Sequence, residues 1–180
     1  MRLEPLEPRH EEPLWEVAQD ERIWRWMRVR ADESREAFHD WFEAMSASGT
    51  FPFAVLVDDA PLGHTSYLNL REDDRVVEIG NTWLAPQAWG ASANTEAKLL
   101  LLQHAFEGEG FLRVEFKTDA NNERSRAALA ALPAELEGVF RKHMLVRGGE
   151  RRDSAWYSVI DDEWPAVRAA LRERLARKAR

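Results

Sequence analysis

Cysteine is missing from the 180 residues. That one absence removes a disulfide scaffold, a thiolate zinc site and a cysteine nucleophile together, and it suits a reducing compartment. No apolar run approaches the ~20 residues of a membrane-spanning helix. The opening stretch MRLEPLEPRHEEPLW has no apolar core of the signal-peptide kind, so the expected location is the cytoplasm, with no membrane partner. The Walker spacing with its lysine–serine pair is absent, and so is the three-glycine dinucleotide fingerprint. His10, His39, His64, His104 and His143 keep no ligand spacing; no metal is expected, and His104 reads as structural.

Positive charge is scarce at the front. Residues 1–50 hold 7 basic and 12 acidic side chains, residues 51–110 hold 3 and 9, and residues 111–180 hold 15 and 11. An acidic front half argues against nucleic acid as a partner, since phosphate binding needs basic patches. It suits a cationic substrate, or serves solubility alone. What is abundant is apolar and charged surface together, 44% and 32% of residues, the balance of a globular protein. The length fits one domain spanning 1–180.

The patterning predicts an α/β chain. RLEPL is a strand. Residues 10–30 read as one helix, with Leu14, Val17, Ala18 and Glu21 on a face. Residues 32–49 form a second, capped by Asp32 or Ser34 and ended by Gly49, with Phe38, Trp41, Phe42 and Met45 as its stripe. Two apolar runs surround the turn DDAPLG, and VVEIGNTWL follows the acidic turn REDDR and is closed by Pro86. A helix over 94–107, the alternating strand LRVEFKTD and the helix NNERSRAALAAL come next. A hairpin folded about GGERR and a C-terminal amphipathic helix with Val167, Leu171 and Leu175 complete the chain. The strand–helix–strand unit in the middle implies a right-handed crossover and a locally parallel pair amid antiparallel hairpins.

One stretch carries chemistry: QAWGASANTEAKLLLLQHAF, residues 87–106. A helix N-terminus offers free backbone N–H groups and partial positive charge, and small residues before it let a phosphate approach. Gly90, Ala91, Ser92 and Ala93 are all small. A lone glycine before a helix is more often the punctuation of an ordinary turn.

With its context the chain resembles the GNAT superfamily of acetyltransferases, and within it the ribosomal-protein N-terminal (RimJ/RimL-like) branch. The resemblance runs from VEIGNTWLAPQAWGASANTEAKLLLLQHAF through FLRVEFKTDANNERSRAAL to GVFRKHMLV. Gln87, Ala88, Trp89, Gly90, Ala91 and Ser92 occupy the places of the superfamily's coenzyme A loop, with Ser92 where the family has Gly or Ala. Asn122 and Ser125 match the branch's Asn followed three residues on by Ser. Pro133 stands where a glycine-containing turn is usual.

The resemblance implies a GNAT fold: a mixed, mostly antiparallel sheet of about seven strands flanked by helices, with a splayed parallel pair at the fourth and fifth. It implies direct transfer from acetyl-CoA to a primary amine, either a protein N-terminal α-amine or a small-molecule amine, with a homodimer plausible. The loop from Gln87 to Asn94 would hold the coenzyme, Trp83 and Leu84 would give main-chain contacts, and the Leu84 N–H would serve as oxyanion donor. Glu78 is a candidate base, a solvated strand residue or one side of an ion pair. Ser125 is a candidate proton donor or a helix N-terminal serine, and Asn122 a pantetheine contact or a turn residue. Arg124 and Arg126 are candidates for the coenzyme's phosphates. Serine at position 92 costs on the order of 1 kcal/mol if a positive φ is needed there; otherwise its hydroxyl is free to cap the helix. Trp15, Trp24, Trp26 and Trp41 are read either as core or as an aromatic acceptor pocket for a cation. The alternative to an enzyme is a GNAT-like module that binds coenzyme A, or another anion, without turnover.

Overall fold

The structure is a computed structural model that describes residues 1–47 and 49–178. Ser48, in the expected end of the second helix, and Ala179 and Arg180, in the expected last turn, lie outside the described residues. The strands are β1 (Arg2–Pro5), β2 (Thr50–Val57), β3 (Ala60–Arg71), β4 (Val76–Leu84), β5 (Arg113–Asp119), β6 (Glu135–Val146) and β7 (Glu150–Ile160). The helices are α1 (Glu11–Val17), α2 (Glu21–Trp24), α3 (Arg35–Ser46), α4 (Ala93–Gln103), α5 (Glu123–Ala130) and α6 (Trp164–Lys178).

The strands form one seven-stranded sheet in the order β1-β2-β3-β4-β5-β7-β6. Its pairs are antiparallel except β4 with β5. That parallel pairing lasts three residues, Val76↔Arg113, Val77↔Val114 and Glu78↔Glu115. Beyond Glu78 the strands part, and the second half of β4 pairs with β3 alone.

Several expected elements are redrawn by local hydrogen bonding. The single helix over 10–30 is instead the 3₁₀ turn Pro8–His10 followed by α1 and α2. The Asp20 side chain accepts the Arg22 N–H at 2.9 Å and starts α2 afresh, a side-chain bond that competes with helix continuation. Ser34, not Asp32, caps α3 by accepting the Ala37 N–H at 3.0 Å. The turn between β2 and β3 needs only Asp58 and Asp59, both left-handed, because Val57 already pairs with Ala60. The helix expected over 94–107 is α-helical only to Gln103 and continues as a π turn over His104–Gly108. β6 begins at Glu135, ahead of the expected strand, and Pro133 sits in the turn beyond α5.

Two cores lie on the two faces of the sheet. One joins Val77, Ile79, Val114 and Phe116 to Leu101, Leu102 and α6. The other joins Ala54, Leu56 and Trp83 to Leu14, Trp24, Phe38 and Trp41. Ile79 and Trp83 are four apart on one strand, so an even pleat would put them on the same face. The register shifts between Ser66↔Gly80 and His64↔Trp83, with Asn81 at φ +49°. This bulge reverses the alternation and sends Trp83 to the other core.

Candidate functional site

The expected loop is built as a helix entrance. Gly90 has φ +73°, a conformation only glycine adopts freely, and open space surrounds the place of a Cβ. Ser92 has φ −77° and ψ −19°, so it is already helical and pays no left-handed cost. Nor does its hydroxyl cap α4: among the described residues the helix has no side-chain cap, its first backbone bond runs from the Glu96 N–H to the Ser92 carbonyl at 2.9 Å, and the N–H groups ahead of Glu96 find no acceptor. The Lys178 ammonium, in the last turn of α6, donates to the carbonyls of Gly90 and Ala91, each at 2.7 Å. In a trans peptide the N–H opposes the C=O, so this clamp turns the Ala91 and Ser92 N–H groups the other way. The Trp89 indole donates to the Leu84 carbonyl at 2.7 Å and ties the loop to the end of β4.

The loop faces one end of a cleft of about 1370 Å³ that runs along the parting of β4 and β5. Glu78, Trp83, Leu84, Gly90, Ala91, Asn94, Asn122 and Ser125 all line it. Gln87 is exposed, Ser92 is half-buried and Ala93 is buried; these three are not part of the lining. Leu84 pairs with Gly63, while the Ala85 N–H donates to the Leu62 carbonyl at 2.8 Å. Strand amides alternate in direction, so the Leu84 N–H faces away from β3, on the side β5 has left open. Gly63 permits this approach: a Cβ there would stand 2.4 Å from the Trp83 carbonyl oxygen. Trp83 buries its ring between Trp24 and Trp41, at centroid distances of 5.6 and 5.8 Å.

Glu78 is buried and held. It accepts from the Asn69 amide at 2.7 Å and pairs with the Lys117 ammonium at 3.2 Å. The ion-pair reading therefore describes its ground state. Lys98, which the sequence reading passed over, is 7% exposed and reaches from α4 into the same gap. Its Nζ donates to Thr82 Oγ1 at 2.8 Å, and burial pushes its pKa down to about 7. The signal was present, a lysine three places after Thr95 and three before Leu101, on the buried side of an apolar helix. His64 is fully buried beside the bulge. Its Nδ1 lies 2.9 Å from the Asn81 carbonyl, and burial lowers its pKa to about 4.

α5 brings Asn122 and Ser125 to the opposite wall. Asn122 Oδ1 accepts the Ser125 N–H at 3.1 Å, so its carbonyl oxygen caps the helix. Ser125 is half-buried and lines the cleft. Arg124 stacks on the Trp89 ring at 4.2 Å, and Arg22 lies over the same ring at 4.9 Å. Arg126 is not part of the cleft lining, and it donates to the Tyr157 hydroxyl and the Ala120 carbonyl, each at 3.2 Å.

The far end of the cleft bears on two pairs of readings that the sequence leaves open. Trp24 and Trp41 belong to the core; of the four front tryptophans, Trp26 and an edge of Trp41 reach the cleft. The acidic front half does not make an acidic cleft either. Among the described residues its lining has nine basic and three acidic side chains. Folding gathers arginines from both ends of the chain here, while most front-half acids face solvent or pair with neighbours. Among the described residues no helix is long and apolar enough to cross a membrane.

Comparison with known proteins places this geometry. The family model for the acetyltransferase (GNAT) domain matches residues 1–134. A crystal structure provisionally described as an acetyltransferase is 39% identical, with TM-score 0.92, over 97% of this chain and 90% of that one. A GCN5-related N-acetyltransferase from Brucella melitensis is 32% identical, with TM-score 0.91, over 97% and 81% of the two chains. RimJ of Mycobacterium smegmatis, in complex with CoA-disulfide, shares the fold at 21% identity and TM-score 0.82, over 96% and 88%. No protein of curated function matches. The expected mixed sheet with its parallel pair at β4 and β5 is the fold these relatives share.

Proposed function

The chain belongs to the GNAT acetyltransferase family, and from that we propose that it binds acetyl-CoA and transfers the acetyl group to a primary amine. The observation that carries the reading is the uncapped start of α4 behind Gly90, opening into a cleft that passes the free edge of β4. Uncapped N–H groups at a helix N-terminus suit the pyrophosphate of coenzyme A. Arg124, stacked on Trp89 beside Gly90, adds positive charge there. When bound, acetyl-CoA supplies an activated thioester.

The chain's own groups divide the remaining work. We assign the Leu84 N–H as the donor to the carbonyl oxygen where negative charge develops. Asn122 fixes the start of α5, and Ser125 Oγ beside it is the proton donor for the leaving thiolate. Lys98 Nζ is a second protic group, poised near half-ionisation at neutral pH. Glu78 serves first as the partner that holds Lys117 at the parting of the strands. An α-amine, with an ordinary pKa of ~7.7–8.0, is partly neutral without help, whereas a lysine at ~10.4 is not. This favours an α-amine acceptor, in keeping with the RimJ-like branch.

Calorimetric titration of acetyl-CoA tests the reading. Binding in the micromolar range is expected, and Ser92→Gly leaves it within about threefold because Ser92 is already helical. Gly90→Val forces a branched side chain to φ +73° and weakens binding by at least about tenfold. Native binding that tolerates Gly90→Val would remove the loop from the site. Binding without thiol release across a broad amine panel would leave a coenzyme-binding module instead.

A further inference from the structure

Arg152, on β7, is a buried cation short of partners. It is 8% exposed and lines the cleft. Among the described residues its buried Nε has no hydrogen-bond acceptor, and its ion pair with Asp119 is long, at 4.0 Å. Asp119 Oδ1 is itself engaged by the Asn121 N–H at 2.9 Å. Among the described residues the Arg152 guanidinium donates no hydrogen bond. A buried N–H without an acceptor is costly, and the two terminal nitrogens of the guanidinium are left to whatever enters the cleft.

The surroundings sharpen the requirement. Arg28 and Arg147 line the same end of the cleft, and the Arg147 N–H meets the Arg28 carbonyl at 3.4 Å. Arg147 reaches Glu150 only at 3.4 Å. An adjoining hollow of about 530 Å³ adds Arg22 and Arg25 against Glu21 and Glu150, with Arg22 paired to Asp20 and the shared Arg30 to Asp32. The nearest cleft carboxylate, Glu78, already holds Lys117. This end of the cleft therefore has an excess of cationic donors and repels a polycation.

Resting on the acetyl-transfer reading above, we propose that the acceptor amine carries a carboxylate, seated on Arg152 with Arg28 and Arg147 at its sides. The class is an amino acid or a peptide whose first residues are acidic. A planar carboxylate matches the guanidinium fork in bidentate fashion, and its single charge balances the one buried arginine. The amine end of such a molecule is then directed toward the parting of β4 and β5, where the Leu84 N–H and Lys98 stand.

The test measures thiol release by the full chain with saturating acetyl-CoA and matched acceptors. The pairs are glycine with glycinamide, β-alanine with β-alaninamide, and the peptide amides Asp-Ala-Ala with Asn-Ala-Ala; phosphoethanolamine and spermidine complete the panel. The best acid is expected to exceed its amide by at least about tenfold in kcat/KM, mainly through KM. Arg152→Met collapses that ratio to near one with acetyl-CoA affinity unchanged, and Arg147→Gln reduces it partly; thermal melts confirm both variants are folded. Amides, spermidine or phosphoethanolamine used as well as the acids, or a ratio untouched by Arg152→Met, would overturn the proposal. Should acetyl-CoA bind and no acceptor turn over, the transfer reading fails by itself. The carboxylate site is then judged by calorimetric titration of the acids into the coenzyme-saturated protein: binding lost in Arg152→Met upholds it, and no binding overturns it.

Discussion

His64 shows what a single buried ring does to the whole chain. It sits with its Nδ1 on the Asn81 carbonyl at the bulge, its Nε2 has no partner among the described residues, and burial lowers its pKa from 6.5 to about 4. Between those values the unfolded chain binds the proton and the folded chain does not. Stability at this position is therefore complete above about pH 6.5 and is lost as pH falls toward 4. A shift of this size corresponds to about 3 kcal/mol. In His64→Gln, urea unfolding followed between pH 7 and pH 4 is expected to fall less steeply than in the unaltered protein. Equal slopes would mean that the imidazole stays accessible to protons in the fold. The position has consequences beyond stability, because the Asn81 bulge that His64 supports puts Trp83 in one core and leaves the Leu84 N–H on the open side.

At the scale of elements, the entrance to α4 is held by the exit from α6. Lys178 contributes nothing apolar, yet its ammonium fixes two carbonyls of the loop 87–92. Lys178→Ala is expected to weaken acetyl-CoA binding about three- to tenfold, at a cost to thermal stability below about 1 kcal/mol, since each hydrogen bond is exposed. Calorimetry with a melting curve checks both, and unchanged affinity would show that the loop holds its shape unaided. Elements fixed by local chemistry were legible in the sequence. The Ser34 cap of α3, the strand closed by Pro86 and the Asn122–Ser125 spacing at the start of α5 all follow from residues within four positions of one another. The helix expected over 10–30 failed because the Asp20 side chain takes a backbone N–H that periodicity cannot see. Lys98, Arg152 and Lys178 were missed for a related reason. Each matters through partners 16 to 88 positions away or through burial, and a lysine or arginine in sequence looks the same wherever it ends up.

For the molecule as a whole, the sheet is continuous only by three residue pairs where β4 meets β5. On one side stand β1 to β4, with the core built on Trp24, Phe38 and Trp41; on the other stand β5, β7 and β6. Backbone groups beyond Glu78 that would have bonded across the sheet face the cleft instead. Acetyl-CoA at about 100 times its Kd is expected to add about 2.7 kcal/mol of stability. Hydrogen exchange should slow in residues 79–84 of β4 as well as at the loop. Protection confined to residues 87–95 would mean that the ligand does not enter the gap. A sheet parted along one seam is two leaves joined at one end and backed by a shared core, and a molecule lodged in the seam becomes its temporary rung. On the acetyl-transfer reading, rigidity across the seam is expected to report occupancy: stiff while the substrate spans it, looser once the product leaves.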